Sequence, residues 1–113
     1  MPLVIQSKQL DPDITILEIA GKITGNDCRQ IESATRKLIS GDQKKIIFDL
    51  SGITHIDSTG IGTIVMLAGQ VKTAGGELRV AAANPHIDQL LKMTNVSRII
   101  SLHPTTAAAA KDF

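Results

Sequence analysis

The sequence has almost no aromatic residues: two Phe, no Trp and no Tyr in 113 residues. Aromatic side chains supply the stacking platforms on which single-stranded nucleic acids bind. An excess of charge of one sign is also missing, because 12 basic and 11 acidic residues give a formal net charge of +1. Without a basic stripe for phosphates or anionic lipids, we expect neither a nucleic-acid partner nor a membrane partner.

A lone cysteine and the lack of a long apolar run indicate the compartment. Cys28 has no second cysteine with which to form an intramolecular disulfide, and the first residues lack the pattern of a secretory leader. Even the apolar run Ile61–Ala68 falls short of the roughly 20 residues that a membrane helix needs. We therefore expect a cytoplasmic domain.

The histidines and glycines do not form a metal or nucleotide pattern. His55, His86 and His103 lie far apart and lack the paired spacing of metal ligands. Gly75-Gly76 has no surrounding dinucleotide-binding pattern, and a helix stop explains it better. We expect neither a metal ion nor a cofactor.

What the sequence does contain is a series of short apolar segments with strand character. β-branched residues on both sides of Asp11-Pro12-Asp13 predict an opening β-hairpin, whose second strand ends at Gly21. Lys45–Leu50 is typical of a buried interior strand, with Ser51-Gly52 as the turn that ends it. Glu77–Ala81 predicts a further strand.

Helical spacing of apolar residues separates these strands. The first predicted helix follows the candidate caps at 24–27 and stops at Gly41, and the second begins at or just after Asp57 and ends at 74–76. A third helix starts at Asn84-Pro85, and a fourth follows Pro104. A last short strand is expected over residues 98–102. The fold class is α/β: a mixed sheet opened by a β-hairpin, with helices packed on it, in a single domain over residues 1–113.

The most informative segment is Asp-Ser-Thr-Gly-Ile-Gly at 57–62, which follows a strand and opens a helix. A helix N-terminus carries unpaired N–H groups and partial positive charge, so it stabilises an oxyanion. Asp57 and Ser58 are both suitable caps, and the Ser58 hydroxyl is compatible with three roles: cap, nucleophile or phosphoryl acceptor. No Gly-x-Ser-x-Gly elbow surrounds Ser58 and no base is placed by local spacing to activate it, so we expect no enzyme activity.

Several segments in a fixed order carry a family likeness. A strand ending Asp49–Gly52, the Ile-Asp-Ser-Thr-Gly-Ile-Gly run at 56–62, Ala-Gly-Gly-Glu-Leu-Arg-Val at 74–80 and a helix through Leu90-Leu91 follow one another. Residues 16–23 are similar to a second strand with a Gly-x-Leu ending. Together they resemble the STAS domain of anti-sigma factor antagonists over nearly the whole chain.

The resemblance implies a phosphorylation switch. In that family an anti-sigma factor with serine kinase activity phosphorylates the Ser after the Asp, and a PP2C-type serine phosphatase restores it. The acceptor here would be Ser58, with Thr59 as the second choice. Unphosphorylated, the domain would bind the kinase and release a sigma factor, as part of signal transduction that regulates transcription under stress.

The same resemblance implies a partner-binding surface around the acceptor. Asp57 would orient the acceptor or contact the kinase, while Thr59, Gly60 and Ile61 would line the docking surface. Phosphorylated members of the family commonly carry Asp where this chain has Thr24, so partner choice at Thr24 is open. The domain is expected to be a monomer or weak dimer. The alternative is a structural STAS subunit of a larger signalling or transport assembly, without phosphorylation.

Overall fold

The computed structural model of the chain describes residues 3–111 and 113. Five strands form one sheet in the order β1-β2-β3-β4-β5. They are β1 (Val4–Asp11), β2 (Ile14–Ile23), β3 (Lys45–Ile56), β4 (Glu77–Ala81) and β5 (Leu102–His103). β1 is antiparallel to β2, and the other neighbouring pairs are parallel. The predicted mixed sheet opened by a hairpin is confirmed.

Four α-helices connect or follow the strands: α1 (Cys28–Ser40), α2 (Ser58–Thr73), α3 (Pro85–Met93) and α4 (Thr106–Ala110). The ends of α1 and α2 and the start of α3 agree with the sequence prediction. Gly41 and Ala74 are the C-caps of α1 and α2. Asn84 caps α3 by accepting a hydrogen bond from the Ile87 N–H at 2.9 Å. Within the described residues, no helix is long and apolar enough to cross a membrane.

The helices cover the two faces of the sheet unequally. α1, α2 and α3 lie on one face and bury a continuous apolar core against β2, β3 and β4, with Ile31, Leu67 and Leu91 among its helical members. On the opposite face, Ala109 of α4 packs on a smaller cluster that includes Ile47. β3 is central and covered on both faces, which explains why a near-continuous apolar run forms it.

Two predicted strand ends were wrong, because β2 and β3 stay paired beyond them. β2 continues past Gly21 to Ile23, and β3 continues through Ser51-Gly52 to Ile56. The parallel pairing of β2 and β3 is interrupted twice by irregularities yet reaches the last residues of both strands. A side chain at Gly52 would place its Cβ 2.7 Å from the Ala20 Cβ, so glycine is what permits this close approach.

The last strand also differs from the prediction over residues 98–102. Asn95 adopts a left-handed conformation, with φ 64°, and Val96–Arg98 then form a 3₁₀ turn. The turn delays the strand, which begins at Leu102 and pairs only briefly with β4. The predicted terminal helix after Pro104 is confirmed as α4.

Candidate functional site

Two parallel strands bring the predicted site together at one edge of the sheet. Ile23 ends β2 and Ile56 ends β3, and the two residues are paired in register. The Asp57 N–H donates to the Ile23 carbonyl at 3.1 Å, and α2 begins at the next residue. The loop 24–27 therefore lies beside the start of α2. The carboxyl end of parallel strands is where α/β sheets usually bind their ligands.

Asp57 is the N-cap of α2, and its backbone is extended, with φ −100° and ψ 178°. One carboxylate oxygen, Oδ1, accepts from the Gly60 N–H at 2.7 Å. The other, Oδ2, accepts from the Gly25 N–H at 3.2 Å. A single carboxylate thus caps the helix and attaches the loop after β2 to it, using an oxygen for each task.

Ser58 is the first residue of α2 and is exposed to solvent. Its hydroxyl forms no hydrogen bond with any residue that the structure describes. The N–H groups of Ser58 and Thr59 likewise have no partner in that part of the chain. Of the two candidate caps, the structure therefore selects Asp57, and the Ser58 hydroxyl is left over at the positive end of the helix.

Ser58 is not hydrogen-bonded to an activating base in the described part of the chain. No histidine, lysine or carboxylate among residues 3–111 and 113 is hydrogen-bonded to its hydroxyl. His55 is exposed, and its Nδ1 lies 3.1 Å from the Thr54 hydroxyl. The described residues also contain no cluster of three or more His, Cys, Asp or Glu that could hold a metal ion. A nucleophilic serine needs a hydrogen-bonded base, and this geometry does not provide one.

The three residues after Ser58 differ in how far they reach the surface. Thr59 is exposed, while Ile61 is half-buried against the core. Gly60 is buried, and a Cβ there would lie 2.6 Å from the Ile23 carbonyl oxygen and 2.9 Å from Ile56 Cγ1. Gly60 therefore lets α2 pack closely on the strand ends and lies beneath the surface that Ser58 and Thr59 form.

Thr24 lies on the neighbouring loop and is half-buried. Its hydroxyl donates to Asp27 Oδ2 at 2.9 Å, and its carbonyl accepts from the Asp27 N–H at 2.9 Å. The buried Cys28 thiol also lies 3.3 Å from that carbonyl. Thr24 thus closes the loop on itself. Gly25 is the residue that the sequence prediction missed, since only the fold places its N–H against Asp57.

The family model for the STAS domain matches residues 6–109 of the chain. The chain belongs to the STAS domain family. A relative described as an anti-sigma factor antagonist of Thermotoga neapolitana is 31% identical to this STAS domain over 68 residues. That alignment covers 60% of this chain, and the chain spans the same share of the relative's length.

Solved structures confirm the STAS fold. An anti-sigma factor antagonist of Thermotoga maritima superposes with a TM-score of 0.86 at 22% identity, covering 96% of this chain and 92% of that one. The Bacillus cell fate determinant SpoIIAA in its phosphorylated form gives a TM-score of 0.71 at 14% identity, covering 93% and 96%. At these identities the likeness establishes the fold.

Proposed function

We propose that this STAS domain is an anti-sigma factor antagonist whose activity is switched by phosphorylation of Ser58. The observation that carries the proposal is the exposed Ser58 hydroxyl, which is free because Asp57 caps the helix instead. Relatives described as anti-sigma factor antagonists support the general role. The existence of a phosphorylated form of one protein with this fold supports the switch.

The phosphoryl transfer needs no catalytic group from this chain. A partner kinase would bind ATP and move its γ-phosphoryl group to Ser58 Oγ, so that an O–P bond forms and the bond to the leaving ADP breaks. The kinase would accept the hydroxyl proton. This domain would contribute only an accessible hydroxyl in a fixed position, and so it acts as a binding module and not as an enzyme.

The phosphorylated domain should remain folded. A phosphoserine carries about −1.5 to −2 charges at pH 7. At Ser58 that charge would lie beside the unpaired N–H groups of Ser58 and Thr59, where the helix end favours an anion. The switch must therefore act on partner binding and not on the fold of the domain.

The docking surface consists of Ser58, Thr59, Ile61 and the loop 24–27, which Asp57 holds beside α2. In the unphosphorylated state this surface binds the anti-sigma factor kinase, and a sigma factor is released. A phosphate in that interface must be stripped of water close to the Asp57 carboxylate, at a large cost in free energy. Phosphorylation then dissociates the complex, and a PP2C-type phosphatase in the same cytoplasm resets it.

Phosphosite mapping by mass spectrometry tests this proposal. The chain is incubated with host lysate and ATP beside the variants Ser58→Ala and Thr59→Ala, which remove the two adjacent hydroxyls one at a time. We expect one phosphoryl group on Ser58 in the wild type and in Thr59→Ala, and none in Ser58→Ala. A phosphoryl group on Thr59, or none in a lysate that phosphorylates other substrates, would contradict the proposal.

A further inference from the structure

A second surface lies between α1 and the first strand of the sheet. The edge strand β1 and helix α1 enclose an open groove of about 680 Å³. Its apolar lining consists of Leu3, Ile5, Leu17, Ala34 and Leu38. Residues alternate along β1, so Ser7 also faces this groove while Val4 and Gln6 face the other side of the sheet.

β1 offers an unused pairing edge along this groove. It is the first strand in the sheet order and pairs with β2 alone in the part of the chain that the structure describes. The half-exposed Val4 lies on the other face of the sheet, so the apolar surface beside this edge is the lining of the groove. An open strand edge beside apolar surface is the arrangement to which an extended peptide adds as a further strand.

The charges at the rim of the groove have one sign. Arg29 and Lys37 line it, both are exposed, and neither has an ion-pair partner among the described residues. Among the described residues, no carboxylate lines the groove, and Glu18 is on the opposite face of β2, in the recess that also contains Asp49. An apolar floor with an uncompensated basic rim fits a ligand that is apolar and acidic.

The position of the groove connects it with the Ser58 surface. Arg29 is in the first turn of α1, directly after the loop 24–27 that Asp57 holds. From there the groove runs along α1 to Lys37 and Leu38. The loop 24–27 therefore connects the Ser58 surface with the start of the groove, along which a partner bound at Ser58 would extend a segment.

We propose that this groove binds an acidic extended segment of a partner protein, added beside β1 as a sixth strand. On one face of that segment, where every second side chain of a strand lies, apolar side chains enter the groove and carboxylates pair with Arg29 and Lys37. A second copy of this chain is a poorer occupant, since symmetric pairing of β1 strands would bring two basic rims together. The inference goes beyond the proposed switch and does not require phosphorylation of Ser58.

Titration of the ¹⁵N-labelled full chain by NMR tests this docking site. The probe is an acetylated and amidated heptapeptide, Ile-Thr-Asp-Thr-Leu-Thr-Glu, whose apolar and acidic residues share one strand face, and the control peptide carries Lys in place of every acidic residue. We expect amide shifts confined to residues 3–9 and 29–38 with the acidic peptide only. No shifts, or equal binding of the lysine peptide, would overturn the proposal. Concentration-dependent shifts of β1 amides without peptide would overturn it in favour of self-association.

Variants test whether the named cations hold the peptide. Arg29→Glu combined with Lys37→Glu should weaken binding by at least about tenfold, which corresponds to about 1.4 kcal/mol. The matched control, Arg36→Glu combined with Lys72→Glu, makes the same charge change at exposed positions outside the groove. An equal loss in both double variants would show a general charge effect and overturn the site. Well-dispersed amide signals in the NMR spectrum of each variant verify that the variant folds.

The strand geometry and the independence from Ser58 have their own tests. Two peptides N-methylated on odd or on even residues each block one edge of the added strand, so one of them should lose binding and the other should keep it. If both N-methylated peptides still bound, the proposed addition of a strand would be wrong. Ser58→Ala should bind the acidic peptide as the wild type does, and this result separates failure of the groove from failure of the phosphorylation switch.

Discussion

The two ends of the parallel strands use their polar groups in different ways. At the amino end, Arg79 on β4 pairs with Glu77 at 2.7 Å and also donates to the Ala109 and Lys111 carbonyls at 2.8 and 3.1 Å. Its guanidinium lies 4.1 Å from the centre of the Phe113 ring. These contacts attach the end of α4 and the residues after it to the sheet.

At the carboxyl end, the polar groups that shape the backbone are also paired. The Asp57 carboxylate accepts from the Gly25 and Gly60 N–H groups, and the Thr24 hydroxyl donates to Asp27. The Ser58 hydroxyl does not, although it is only one residue from the cap. The fold does not use this hydroxyl in a hydrogen bond among the described residues, so we expect its modification to leave the structure intact.

The largest expected effect is at the packing contact beneath the carboxyl end. Gly60→Ala should lower the free energy of unfolding by about 3 kcal/mol, because its Cβ would press on the Ile23 carbonyl and on Ile56. Urea denaturation measures the loss. Gly62→Ala is the matched control on the same helix, since a Cβ there meets no atom within 4 Å.

The control variant Gly62→Ala should change the stability in the opposite direction. Alanine is a better helix former than glycine, so Gly62→Ala should raise the free energy of unfolding by up to about 1 kcal/mol. If both glycine variants had the same stability, the close approach of α2 to the strand ends would be wrong.

The second-largest loss of stability is expected at the amino end of the parallel strands. Arg79→Ala should destabilise the domain by about 2 kcal/mol, because it removes hydrogen bonds to two carbonyls and leaves that of the buried Ala109 without its partner. Hydrogen exchange should quicken at the amides after Thr106, while phosphorylation of Ser58 should be unchanged. Arg79→Lys keeps the charge without the planar guanidinium, so its stability should lie between that of the wild type and that of Arg79→Ala. A loss of phosphorylation would show that the two ends are not independent.

The smallest effect is expected at the cap itself. Asp57→Ala removes the acceptor for the Gly60 and Gly25 N–H groups and should cost about 1 kcal/mol, while Asp57→Asn should cost less. Hydrogen exchange at both amides reports the change directly. If only the Gly60 amide exchanged faster, Asp57 would cap the helix without holding the loop.

Much of the fold follows from local sequence signals. Gly41, Asn84-Pro85 and the Asp11-Pro12-Asp13 turn fix helix and hairpin ends through backbone preferences that act within a few residues. Ser51-Gly52 shows where such signals fail. Its turn composition is overridden because β3 gains more by staying paired with β2, a contact between segments about 30 residues apart.

In the candidate site, too, some features follow from local sequence signals and others from contacts between distant segments. The sequence places an oxyanion-friendly helix start at 57–58 but does not decide between two adjacent capping residues, since both side chains suit the task. The structure places Asp57 at the cap, and its second hydrogen bond, from the Gly25 N–H, exists only after β2 and β3 have paired. The freedom of Ser58 is therefore a property of the tertiary structure.

Binding of the anti-sigma factor kinase to a site-specifically phosphorylated chain tests the central claim most directly. Phosphoserine is placed at position 58, or at the exposed Ser40 that ends α1 as the matched control, and the affinities are measured by isothermal titration calorimetry. We expect phosphorylation at Ser58 to weaken binding by at least about 100-fold, or about 2.8 kcal/mol, and phosphorylation at Ser40 to leave it unchanged. Binding of the Ser58-phosphorylated chain as tight as that of the unmodified chain would contradict the account.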